Sequence, residues 1–226
     1  MQDYQLLDKL GKVYQRLEKQ ILSAPEIVSR LNRAVSMPEC KIVSIDTLSI
    51  ISNDFTISGR YDPNLDLKGR RPIEVEIAFP KQRKYFTIGN EDLTYDHWMR
   101  MAYQLVDTLG HEMVHLKQHR RRHYRNCRKY VSDDPDFSVR EQQEYFGLND
   151  EIEAYSFNAA TAMAYSLPNR PTKLNDVFIY QLYCGLFDNK HPVVVKLRKL
   201  SKKYYQKLER EYHGSRTTRT TRRRSV

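Results

Sequence analysis

Residues 111–115 read His-Glu-Met-Val-His. Two histidines four residues apart project from the same side of a helix, close enough to share one Zn²⁺. The glutamate beside the first can hold a water on that ion. The pattern fixes only three positions, so alone it also arises in chains without metal chemistry. Its surroundings argue for a site. Trp98, Met101, Ala102, Leu105, Leu109, Met113 and Leu116 recur at helical spacing and make an apolar stripe that would anchor a helix over residues 96–123 in a core. Gln104, Thr108, His111 and His115 fall on a different, polar stripe of that helix, as cleft-lining residues would.

A catalytic zinc site normally has three protein ligands and one open position. His119 and His123 continue the four-residue series, but each added turn moves about 6 Å along the helix axis. His119 is therefore too far from His111 to share its ion, and both residues read as part of a basic face. A second helix opening after Gly147, Asn149-Asp150-Glu151-Ile152-Glu153-Ala154-Tyr155, supplies two candidate carboxylates, Glu151 and Glu153. Residues two apart on a helix point about 200° apart, so only one of them can face the ion.

With HExxH upstream and this helix some tens of residues later, the chain resembles the zincin metallopeptidases in their gluzincin arrangement. There the second helix carries Glu-x-x-x-Asp or a variant such as Glu-x-x-Ala-Asp/Asn. Glu151 and Ala154 match that pattern, whereas Tyr155 stands where the acid or amide is usual. The metzincin pattern HExxHxxGxxH does not fit, because Gln118 and Arg121 occupy its Gly and third His. The resemblance spans roughly residues 70–166 and rests on four or five of them. In its pairing of HExxH with an EIEAY-like helix, the chain also resembles uncharacterised phage and bacterial proteins.

The resemblance implies a fold, a ligand set and a reaction. The fold would be α+β and zincin-like, a small twisted sheet preceding a helical active-site core, with added N- and C-terminal helices. An edge strand of that sheet, residues 73–79 or 84–88, would hold an extended substrate. His111, His115 and Glu151 would be the ligands of Zn²⁺, with Glu151 preferred over Glu153, and Glu112 the general base and acid. The activity would be that of a zinc-dependent metallopeptidase, hydrolysing a peptide or protein substrate by a metal-activated water. Tyr145, Tyr155, Tyr165 and Tyr183 are all candidates for stabilising the oxyanion. The alternative is a zincin-fold scaffold, a nucleic-acid-associated or virion structural protein with little or no catalysis.

The elements that must position these residues are legible from periodicity. Leu6, Leu10, Val13, Leu17 and Ile21 predict a helix within residues 3–33, with Pro25 starting a second. Strands are expected around residues 42–51, 55–60, 73–79 and 84–88, with turns at residues 61–64 and 68–72. Helices are expected over residues 96–123, 138–147, 149–166, 175–187 and 193–212. The division along the chain is then an N-terminal helical segment (1–35), a zincin-like domain with C-terminal helices (36–212) and an Arg-rich tail (213–226) expected to lack structure in isolation.

The 226 residues carry 38 Lys+Arg against 28 Asp+Glu, a net charge of +10. The excess is segmental. Residues 117–129 hold seven basic residues and no acid, with Tyr124 and Tyr130 interleaved. The tail holds five more, Arg216, Arg219, Arg222, Arg223 and Arg224. The remainder is near balance. The first segment reads either as a solvated helix end or as a surface for an acidic substrate or nucleic acid. The tail reads as an arm for nucleic acid or another polyanion. No stretch of about 18 apolar residues exists to span a membrane, the N-terminus lacks a signal-peptide layout, and Cys40, Cys127 and Cys184 form no CxxC. A reducing, cytoplasmic setting is the expectation, with a virion-associated one open.

Overall fold

The computed structural model describes residues 3–46, 55–80, 83–90, 92–125, 138–165 and 171–222. The chain is α+β and divides into two compact units, Met1–Tyr124 and Arg125–Val226.

In the first unit, α1 (Asp3–Leu17) buries Leu6, Leu10, Tyr14 and Leu17. It ends where Lys19 turns left-handed, at φ 68°. The chain then forms a short strand, β1 (Ile21–Ser23), so the apolar stripe expected to continue through Ile21 is broken. Ile21 is 65% exposed, and Leu22 is buried in its place, opposite Phe86 of β5 (Tyr85–Thr87), which pairs antiparallel with β1. The apolar period changes there from that of a helix to that of a strand. Pro25 sits in the first turn of α2 (Ala24–Val35), as expected, behind a capping box in which the Ser23 N–H donates to Glu26 at 2.8 Å.

Three strands, β2 (Cys40–Asp46), β3 (Thr56–Tyr61) and β4 (Ile73–Phe79), form a sheet in the order β2-β4-β3. β2 runs parallel to β4 and β3 antiparallel to it. Asn32 ties α2 to this sheet, donating to the Ile42 carbonyl at 2.8 Å and accepting from the Ile42 N–H at 2.9 Å. The expectation that residues 73–79 form an edge strand is corrected. β4 is central and buries Ile73, Val75, Ile77, Ala78 and Phe79, more than one face of an alternating edge strand would. Residues 84–88 do not join this sheet at all. The antiparallel edge is β3, which packs against the histidine-bearing helix more extensively than β4 does. Residues 48–51, read as part of a strand, lie outside the described residues.

That helix is α4 (Tyr95–Arg121), capped by Thr94, whose hydroxyl accepts from the His97 N–H at 3.3 Å. Its apolar stripe is buried as expected. Trp98 is completely enclosed and donates its indole N–H to the Leu10 carbonyl at 2.9 Å, fixing α4 to α1. The far end is fixed by a charge cluster. A short helix, α3 (Pro63–Leu67), lies where a turn was expected. It presents Asp66 to the Arg120 guanidinium, which donates through Nε at 3.0 Å and Nη2 at 2.7 Å. The hydroxyls of Tyr124 and Tyr61 donate to the same carboxylate at 2.6 and 3.2 Å. Burial pushes the Asp66 carboxyl up, but these four bonds outweigh it and hold the group below its ordinary value. His123 and Tyr124 follow in left-handed conformations, at φ 51° and 58°.

The second unit is helical in its described residues. It comprises α5 (Val139–Phe146), α6 (Asn149–Tyr165), a 3₁₀ turn (Leu174–Asp176), α7 (Phe178–Leu186) and α8 (Pro192–Arg222). Its core contains Ile152, Ala159, Met163, Tyr180, Tyr183, Phe187, Val194 and Leu197. Small residues let α6 approach α8 closely. The buried Ser156 hydroxyl lies 2.5 Å from its own helix's Ile152 carbonyl and 3.2 Å from the Leu197 carbonyl of α8. α8 continues through Arg222, into the stretch expected to be an unstructured tail.

Candidate metal centre

α4 places His111 and His115 one turn apart on its polar stripe, and their Nε2 atoms face each other at 3.1 Å. Two lone pairs at that distance repel, so the arrangement needs a proton or a cation between them. Two nitrogens bound tetrahedrally to one zinc at about 2.0–2.1 Å are about 3.3–3.4 Å apart, close to the spacing seen. The Nδ1 of the buried His115 lies 3.1 Å from the Gln118 side-chain oxygen. A carbonyl oxygen only accepts, so Nδ1 carries the proton and Nε2 presents its lone pair. Gln118 is itself 2% exposed and held in place. The sequence marked it only as the residue that spoils the metzincin pattern. Its position one turn beyond His115 was the available signal.

Glu112 is next along α4 and so points about 100° away from His111, toward the sheet. It is 4% exposed. Gly59 of β3 lies directly over it: a Cβ at position 59 would come within 3.1 Å of Glu112 Cγ, 3.3 Å of its Oε1 and 2.5 Å of Thr108 Cγ2. The strand can approach this helix face only because residue 59 has no side chain. A glycine inside a predicted strand was the sequence signal for that close approach, and the periodicity reading passed over it.

In the second unit, Glu151 occupies the first turn of α6 and is 8% exposed. The Tyr145 hydroxyl, from α5, donates to its Oε2 at 3.1 Å. Glu153 faces elsewhere and accepts from the Tyr204 hydroxyl of α8 at 3.0 Å. His111, His115 and Glu151 form a group that could hold a metal ion, with one ligand atom from each lying within 4.8 Å of the others. Two imidazoles and one carboxylate suit a divalent first-row ion.

Comparison with family models, curated proteins and solved structures finds no match.

The other candidates are dispersed. Tyr183 is fully buried in the core of the second unit, packed on Phe146, Tyr155 and Phe187, and burial pushes its hydroxyl pKa far up. Tyr155 packs on Phe146 within the same aromatic cluster. Tyr165 is half-buried at the end of α6. Tyr145 has its hydroxyl on Glu151. His119 does not belong to a basic face: it is buried, edge-on to Tyr61 at 5.0 Å. His123 is in the turn after α4. The basic run that follows the histidines is partly neutralised, since Arg120 is bound to Asp66 and lies 3.7 Å from Glu39. Tyr124, read as a stacking group, has its hydroxyl on Asp66. Residues 126–129 lie outside the described residues. No helix among the described residues is long and apolar enough to cross a membrane.

Proposed function

We propose that this chain is a zinc-dependent metallopeptidase of zincin type, with His111, His115 and Glu151 as ligands and Glu112 as general base and acid. The observation that carries this reading is the grouping of two imidazoles and a carboxylate beside a buried glutamate on the same helix. When bound, the ion supplies Lewis acidity, polarising a carbonyl and lowering the pKa of water to about 7.

The rest of the work falls to the chain. Gln118 fixes the His115 tautomer, and Tyr145 steadies Glu151 through its hydroxyl. Glu112 takes a proton from the attacking water and returns it to the leaving amine. β3 pairs with β4 along one edge, so the other edge suits an extended peptide laid alongside α4 by strand addition. A retained His-Glu-His triplet favours catalysis over a scaffold role. Glu112→Gln tests this. Zinc should still bind with one ion per chain, while cleavage of a mixed peptide library, read by mass spectrometry, disappears. Full cleavage by that variant removes Glu112 from the mechanism. No cleavage by the zinc-loaded native chain leaves the scaffold reading.

Recruitment to nucleic acid belongs to the same proposal. α8 includes Arg216, Arg219 and Arg222, and Arg223 and Arg224 follow directly in sequence. Binding to a DNA duplex should weaken steeply with salt and fall on removing residues 214–226. A truncated chain that binds DNA as well as the native one refutes the arm.

A further inference from the structure

The polar stripe of α4 does not begin at His111. One and two further heptads toward the N-terminus, Gln104 and His97 stand nearly in line with it, because seven residues are almost two full helical turns. These two side chains, with Arg100, Met101 and Phe55, line a cavity of about 130 Å³ within the first unit. At about 30 Å³ per water, that is room for about four waters, or for a carboxylate with the methylenes that carry it.

The lining has a definite chemistry. Arg100 and Gln104 each present N–H donors, and His97 adds a ring nitrogen. No acid lines the space. None of these three side chains has a hydrogen-bond or ion-pair partner among the described residues, and the Nδ1 of His97 is buried in that state. Asp96 precedes Arg100 by one turn but makes no ion pair with it among the described residues; after burial and Glu18, it is a further cause that pushes the pKa of the Tyr14 hydroxyl up. The opposite wall is apolar and fixed: Met101 is buried, and the Phe55 ring is held edge-on by Phe79 at 5.3 Å. Donors on one side and a rigid apolar wall on the other match a planar anion on an alkyl stem.

We propose that this cavity, lined by His97, Arg100 and Gln104, is a carboxylate-binding subsite that takes an acidic side chain of an extended peptide. That the carboxylate belongs to a substrate rests on the peptidase reading; that the cavity binds carboxylates does not. The seven residues from Gln104 to His111 span about 10 Å, which an extended chain covers in about three residues at about 3.3 Å each. The acidic residue therefore sits about three positions from the bond cut.

Two measurements on the full-length protein separate these statements. In the first, the metal-free protein is titrated with glutarate, with its uncharged diamide, and with inorganic phosphate, read by amide shifts of His97, Arg100 and Gln104. Glutarate should perturb these amides and the diamide should not, and Arg100→Gln should weaken glutarate at least tenfold. Equal responses to glutarate and the diamide, no effect of Arg100→Gln, or phosphate binding tighter than glutarate each overturns the carboxylate site. In the second, zinc-loaded protein is given alanine-based peptides with a single Glu or Gln walked along the chain. Glu three positions from the cut should raise kcat/KM at least tenfold over Gln. Arg100→Gln should abolish that preference, whereas Arg140→Gln, at an exposed position on α5, should leave it intact. Cleavage with no such preference overturns the substrate assignment. No cleavage of any peptide refutes the peptidase reading, and the glutarate titration still decides the cavity.

Discussion

Replacing Gly59 with alanine tests how tightly β3 is fitted to the face of α4 that carries Glu112. The added Cβ would lie 2.5 Å from Thr108 Cγ2, against about 3.5–4.0 Å for a comfortable carbon contact. The contact with Glu112 Cγ, at 3.1 Å, is tight but milder. Thr108 cannot swing clear cheaply, because a β-branched residue in a helix has few χ1 choices. Gly59 also sits inside the ladder, opposite Val75 of the central strand, so β3 cannot retreat alone. Overpacking of this kind costs about 1–3 kcal/mol. With a urea dependence of about 2 kcal/mol per molar, the midpoint should fall by about 0.5–1.5 M. The assay is intrinsic fluorescence, since the single tryptophan, Trp98, is enclosed in α4 and reports the unit in question. Thr108→Ser removes the offending methyl. In that background Gly59→Ala should cost under about 1 kcal/mol, because only the milder Glu112 contacts remain. An equal cost in both backgrounds, or none in either, would show that the strand does not approach the helix as described.

Two further outcomes follow from the geometry. Gln118→Leu removes the acceptor that fixes the His115 tautomer and should weaken zinc about 10–100-fold, whereas Gln118→Glu, which keeps an acceptor, should not. The ¹⁵N shifts of His115 in the metal-free protein should report the tautomer change, and unchanged shifts in Gln118→Leu would refute the role. Asp66→Asn should flatten the acid limb of stability. The folded carboxyl lies below its ordinary value, so its contribution is present above pH about 4 and is lost as pH falls through the lower folded value. Charge-assisted bonds of this kind are each worth about 1.5–3 kcal/mol, the lower end applying where Arg120 is 46% exposed. Urea midpoints at pH 7 and pH 3 should therefore converge in the variant, and parallel pH dependence in both proteins would contradict the assignment.

Much of this molecule could be read from periodicity. The stripe from Trp98 to Leu116 defined α4 to within two residues of its observed ends, and the alternation at residues 73–79 defined β4. The burial of both follows from apolar spacing, which a sequence displays directly. Strand order does not. Nothing local to β4 says that β2 and β3 flank it, so the sheet edge was assigned to the wrong segment. The break after Leu17 escaped for a related reason: Ile21 fits a helical stripe as well as Leu22 fits a strand, and pairing with a segment some 60 residues away decides between them. The charges were the least legible. Arg120, His119 and Tyr124 lie in a run that looks solvated, yet they converge on Asp66 and Tyr61, which lie more than 50 residues earlier.

The central claim is a metal held by two imidazoles and one carboxylate. It is tested most directly by titrating metal-free protein with Zn²⁺ at pH 7 and counting bound ions per chain by calorimetry and elemental analysis, alongside His115→Ala and Glu151→Ala. The geometry predicts one tightly bound ion per native chain, lost in His115→Ala and weakened at least tenfold in Glu151→Ala. A native chain that binds no zinc, or a His115→Ala variant that binds it as tightly as the native chain, would contradict the site.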